Sequence, residues 1–213
     1  MGDPAAVAGM ARYGIRSQQV LGVGMPRLRA LAKRIGRDHA LAQQLWLTGI
    51  LEARAGASMI GDPKLVTEEL METWVADFDS WAVCDGACCT LFDKTKFAWK
   101  KALEWSRRDE EYVKRAGYTI MAALAVHDKS APDAKFLRLL PAIRRGATDE
   151  RNFVRKAVNW ALRQIGKRNR NLNCAAIAAA RQIHTMDSRS ARWIASDALR
   201  ELESAAVQRR LKI

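Results

Sequence analysis

Acidic side chains are scarce in this chain of 213 residues: 23 Asp and Glu face 36 Lys and Arg, a formal net charge of +13. An excess of that size points to a polyanionic partner, with nucleic acid ahead of an acidic membrane surface. No apolar run approaches the roughly 18 residues of a membrane-spanning helix, and no Lys-rich amphipathic anchor with a clean apolar face occurs. The start of the chain carries Asp3 and Pro4 and lacks a charged-then-apolar secretory pattern, so a cytoplasmic location is expected. Only four cysteines occur (Cys84, Cys88, Cys89, Cys174), without disulfide-like spacing, and they read as reduced thiols. Cys84 and Cys88 are one turn apart, but no His is near and no CxxC occurs, so no metal is expected. The three histidines, His39, His127 and His184, lie on different segments, and no phosphate-cradling GxxxxGK[ST] or Ser/His/Asp pattern is present. Nucleotide and thiol chemistry are thereby disfavoured, and no cofactor is expected.

Sustained strand alternation is missing as well. Apolar residues instead recur at helical spacing in short pieces, punctuated by Gly, Pro, Asp and Ser. The spacing predicts helices over 5–13, 26–35, 38–47, 50–60, 64–75, 78–92, 94–105, 111–126, 132–145, 152–165, 171–184 and 190–210. The Leu21-Gly22-Val23-Gly24 turn is explained by Pro26 opening the next helix, and needs no separate glycosylase hairpin motif. Helices pairing at intervals of about 35–40 residues have the period of HEAT-like repeats. The expected architecture is an all-α, HEAT-like (armadillo-type) superhelical solenoid, one domain over 1–213, with a basic concave groove.

Three features carry chemistry. Asp85 is the only charged side chain between Asp79 and Asp93, and helical spacing stacks it with Trp81, Cys88 and Phe92. A carboxylate on an otherwise uncharged helix needs either a buried partner or a task, because burying an unpaired charge is expensive. In the helix over 152–165 the core stripe is Val154, Val158, Ala161 and Ile165. Trp160 falls about 120° from it, beside Lys156 and Arg163. Arg115 projects opposite the stripe of its own helix, Val113, Gly117, Ile120 and Leu124. From Arg151 to Arg170 there are seven basic residues and no acid. Cations sharing a face with an indole suit a phosphate backbone next to a base or sugar.

Taken together, several segments resemble the AlkD-like family of DNA alkylation-repair glycosylases, built from HEAT-like repeats. They are Tyr13 in MARY, GVGMPRLRALAK at 22–33, LW.TGILEAR at 45–54, FDSWAVCD at 78–85, YVKRAG at 112–117 and FVRKAVNWALRQ at 153–164. They keep their order over nearly the whole chain. The resemblance implies that Asp85 is the catalytic carboxylate and that Trp81 and Trp160 are the indoles lining the lesion site. It implies further that Arg115 and Arg163 hold the DNA backbone and that Tyr13 lies near the same surface; Lys156, on the face of Trp160, is expected to add to that grip. The implied activity is release of positively charged N3- or N7-alkylpurines from duplex DNA by a monomer, without metal or cofactor. One departure is Ala82, where the family commonly has Asp directly after the first tryptophan; the N-terminal helices also look compact. The alternative is a HEAT-repeat protein that binds damaged or branched DNA without excision.

Overall fold

A computed structural model describes residues 3–12, 14–15 and 19–212, and among them every regular element is helical. The chain divides into two compact units, Met1–Ala98 and Trp99–Ile213.

The first unit contains α1 (Pro4–Arg12), α2 (Met25–Ile35), α3 (His39–Leu47), α4 (Leu51–Ile60), α5 (Glu68–Ala76) and α6 (Trp81–Thr90), with a 3₁₀ turn at Phe92–Lys94. Side-chain caps set several starts: Asp38 accepts from Leu41 N before α3, Thr67 from Leu70 N before α5, and Ser80 from Val83 N before α6. The helix expected from residue 64 therefore begins only at Glu68. Asp62 instead closes a turn by accepting from Lys64 N, and Thr67 supplies the cap. The core is aromatic. Trp46 and Trp74 stack with centroids 4.0 Å apart and planes 4° from parallel, flanked by Phe78 and Phe92. Trp46 donates its ring N–H to Asp77 at 2.9 Å, so its one polar atom is satisfied.

The turn before α2 is held from a distance. Glu52, 3% exposed on α4, accepts hydrogen bonds from the backbone N–H groups of Leu21, Gly22 and Val23 at 3.0, 2.7 and 3.2 Å. A buried carboxylate is tolerated there because converging N–H donors replace its lost water. Gly22 is obligatory: its φ is +77°, and a Cβ would lie 2.2 Å from the Asp3 carbonyl oxygen.

The second unit contains all but the first residue of α7 (Ala98–Trp105), then α8 (Glu111–His127), α9 (Asp133–Leu137), α10 (Leu140–Gly146), α11 (Asn152–Gly166), α12 (Arg170–His184), α13 (Arg189–Leu202) and α14 (Ala205–Leu211). Two expected helices are each split. Pro141 lacks an N–H and cannot continue α9, so it sits in the first turn of a new helix, α10. The segment over 190–210 breaks at Ser204, whose hydroxyl caps α14 by accepting from Val207 N. Small residues set the spacing of α8. A Cβ on Gly117 would come within 2.5 Å of Ser106 N, so only glycine lets α8 lie this close to the turn after α7.

The predicted repeat appears as a ladder of side-chain contacts at one sequence separation, 38 residues. It includes Arg115 to the Phe153 carbonyl, Arg144 to Gln182, Ser188 to Glu150, Asn159 to Asp197, Arg163 to Glu201 and Asn171 to Asp133. Each rung joins equivalent points of successive helical modules.

Candidate functional site

On α6 the buried face is Val83, Cys84, Ala87 and Cys88, while Trp81, Ala82, Asp85, Gly86 and Cys89 are half-buried. Trp81 and Asp85 thus share the solvent-facing side, one turn apart. The expected companions Cys88 and Phe92 are instead fully buried, and the stripe of four divides into a facing pair and a core pair. Burial pushes the Cys88 thiol well above its ordinary pKa, the hydrogen bond with Cys84 raises it further, and the charge of Asp85 contributes a smaller rise. The residue after Asp85 is Gly86, and nothing lies within 4 Å of a Cβ placed on it.

On α11 the buried residues include Val154, Val158, Ala161 and Ile165, as expected. Trp160 is half-buried, Lys156 exposed and Arg163 half-buried, all on the opposite side. At 100° per residue, Lys156, Trp160, Arg163 and Lys167 fall within about 60° of one another. Arg163 is not an unengaged cation. Its guanidinium meets Glu201 at 2.6 Å and Asp197 at 3.6 Å, and Lys167 meets the other Glu201 oxygen at 2.7 Å. Burial pushes the Glu201 carboxyl up, but the Lys167 hydrogen bond and the charges of Arg163 and Lys167 outweigh it and hold the pKa below the usual range. Those two acids lie 34 to 38 residues from their partners, so neighbouring sequence carries no sign of them.

The expectation that Arg115 projects away from the packed side of α8 is corrected. The residue is 6% exposed, and its guanidinium donates to the Phe153 carbonyl at 2.6 Å. Helix α8 is buried at almost every position from Val113 to Ala125, because a central helix of a stacked array is covered on more than one side. Arg115 therefore braces α8 to α11. Tyr13 lies outside the described residues. Among the described residues no group of three His, Cys, Asp or Glu is placed to hold a metal ion, and no helix is long and apolar enough to cross a membrane.

These features define a helical-repeat protein with an aromatic and cationic face. A solved structure described as "a new family of proteins related to the HEAT-like repeat DNA glycosylases with affinity for branched DNA structures" matches with a TM-score of 0.76. It is 19% identical, over 94% of this chain and 90% of that one, which shows the HEAT-like fold. A second solved structure, of an engineered protein, matches at a TM-score of 0.39 and 16% identity over 84% of this chain and 91% of that one, too distant to bear on the fold. No curated protein is a significant sequence match. The family profile described as "DNA alkylation repair enzyme" matches residues 1–202, and the chain belongs to that family.

Proposed function

We propose that this chain is a DNA glycosylase of alkylation base-excision repair that releases positively charged N3- and N7-alkylpurines from duplex DNA. Asp85 is its catalytic carboxylate, Trp81 and Trp160 are the indoles that meet the lesion, and Lys156 and Arg163 grip the backbone. The observation that carries the reading is the placement of Asp85 beside Trp81 on the solvent-facing side of α6, in a chain of the alkylation-repair family.

The chemistry asks for little more. Alkylation at N3 or N7 gives the purine a positive charge, so breaking the glycosidic bond expels a neutral base and the leaving group needs no proton. The difficulty lies in the oxocarbenium-like sugar, as in other glycoside cleavages. One preorganised carboxylate stabilises that cation and orients the attacking water, so a paired acid is unnecessary. An indole face attracts the cationic base or sugar by about 0.5–2 kcal/mol and excludes water. The cations supply grip without sequence information.

Asp85→Asn is expected to bind methylated duplex as well as the wild type while releasing free N-methylpurine at least about 100-fold more slowly, the scale of one lost electrostatic group at a transition state. Unchanged release by that variant removes Asp85 from the mechanism. A second reading, binding of branched DNA without excision, is favoured by the description of the solved relative and by Ala82, which puts no carboxylate directly after Trp81. Wild-type protein that binds DNA with steep salt dependence yet frees no alkylated base supports this second reading.

A further inference from the structure

Trp193 is 38% exposed on α13, an unusual position for an indole that has a packed core a few ångströms away. The buried residues of α13 are Ser190, Ala191, Ile194, Ala195, Ala198 and Leu202. On the other side Arg189, Trp193, Ser196 and Arg200 are all exposed and fall within about 60° of one another. One face of the indole is already occupied: the Arg155 guanidinium from α11 lies 5.1 Å from the ring centroid. Arg155 Nε, buried, has no hydrogen-bond partner; the guanidinium lies against the ring, makes a long contact to Asn152 at 3.5 Å and is attracted by the Glu150 carboxylate.

The same rungs tell which surface this is. Arg155–Trp193, Asn159–Asp197 and Arg163–Glu201 lay α11 and α13 side by side, with the buried sides of both helices turned the same way. The surface of α13 that carries Trp193 is therefore continuous with the surface of α11 that carries Lys156 and Trp160. The nearby acids are engaged by protein donors. Asp197 turns toward Asn159, Arg163 and Arg200. Glu150 accepts from Ser190 N and Ser188 Oγ at the start of α13, and these bonds, helped by the charges of Arg155 and Arg189, hold its carboxyl below the usual range. Asp187 pairs with Arg192 at 3.3 Å. Arg189 remains exposed one turn before the indole.

We propose that Trp193, backed by Arg155 and flanked by Arg189, is a second nucleic-acid contact that stacks an unpaired nucleotide of a forked or branched DNA. An indole with a cation on one face and solvent on the other offers a platform for a base, and every base has a face to place on it. A paired base inside a duplex cannot reach such a platform; an unpaired one at a branch can. The inference rests on the DNA-binding part of the proposed function and not on its excision chemistry.

The test measures affinity by fluorescence anisotropy for a forked DNA with a short unpaired arm and for a linear duplex of the same sequence. Trp193→Ala is expected to lose about five-fold or more on the fork, the lower end for one base–aromatic stack, and little on the duplex. Trp193→Phe keeps a ring and restores most of the fork affinity. A 2-aminopurine at the unpaired position is quenched by the wild type and not by Trp193→Ala. Arg189→Ala weakens both DNAs and reduces the salt slope by about one. Equal fork affinity in wild type and Trp193→Ala, equal losses on fork and duplex, or no quenching by the wild type each overturn the proposal. Base release from linear methylated duplex is scored separately with Asp85→Asn, so loss of the excision reading leaves this result standing, and the reverse.

Discussion

The two units are built on different physics. The first is held by a stack of indoles and phenyl rings around Trp46 and Trp74, and its buried Glu52 is satisfied by backbone N–H groups. The second is held by alanine-rich helix contacts and by polar rungs repeated at one separation. Asp85, an acid among small neutral residues, stands on the aromatic unit; the clustered cations stand on the polar one. A ladder of polar rungs fixes Arg163 in register through Glu201 while leaving the side chain partly exposed.

That contrast can be broken most sharply at Trp46. Trp46→Ala removes one half of the stack and the donor to Asp77 and is expected to cost about 3–5 kcal/mol, read as a large loss of thermal stability in the first unit. A loss under about 1 kcal/mol means the aromatic stack is not what holds that unit.

Acidification acts on the other side of the comparison. The carboxyls held below their usual range, Asp128, Asp149, Glu150 and Glu201 among them, lie in the second unit. At Asp149 burial works upward, but hydrogen bonds from Arg151 and Lys114 prevail. A carboxyl depressed in the folded state stabilises it fully above the unfolded pKa, near 4 for Asp and Glu, and loses that contribution as pH falls through the folded value. Thermal unfolding of the second unit is thus expected to drop below about pH 4, with Glu201→Gln showing a shallower fall. Identical pH profiles for that variant and the wild type deny Glu201 a part.

The smallest expected effect is at Gly86. It lies in mid-helix with open space at the Cβ position, so Gly86→Ala stabilises α6 by about 1 kcal/mol. Gly86→Leu sharpens the point: normal stability with slower base release marks the space beside Asp85 as used by the substrate. Unchanged release leaves it as empty surface.

Much of this was legible in the sequence where local periodicity carried it. Trp160 lies off the core stripe of α11 because the 3.6-residue period alone separates Val154, Val158, Ala161 and Ile165 from it. Asp85 stands out because no other charged residue lies between Asp79 and Asp93 along the chain. Arg115 was misread for a reason of the same kind: a single stripe was assigned to a helix that neighbours cover on several sides, and periodicity cannot report how many neighbours a helix has. The acids on Arg163, the Glu52 cradle and the Arg155–Trp193 stack are absent from any local pattern, since each pairs residues about 30 to 38 positions apart. Pro141 and Ser204 were visible signals for the two helix breaks, but the apolar rhythm on both sides hid them.

The constant separation of the rungs has an evolutionary and an engineering corollary. A chain wired at one stride tolerates growth only in whole strides: a tandem copy of 151–188 adds one pair of helices in step with the rest, but it sets Arg163 opposite a second Arg163, and only an acid placed there, as Glu201 is now, restores the rung. An insertion of a few residues within α11 or α12 instead puts every later partner out of step.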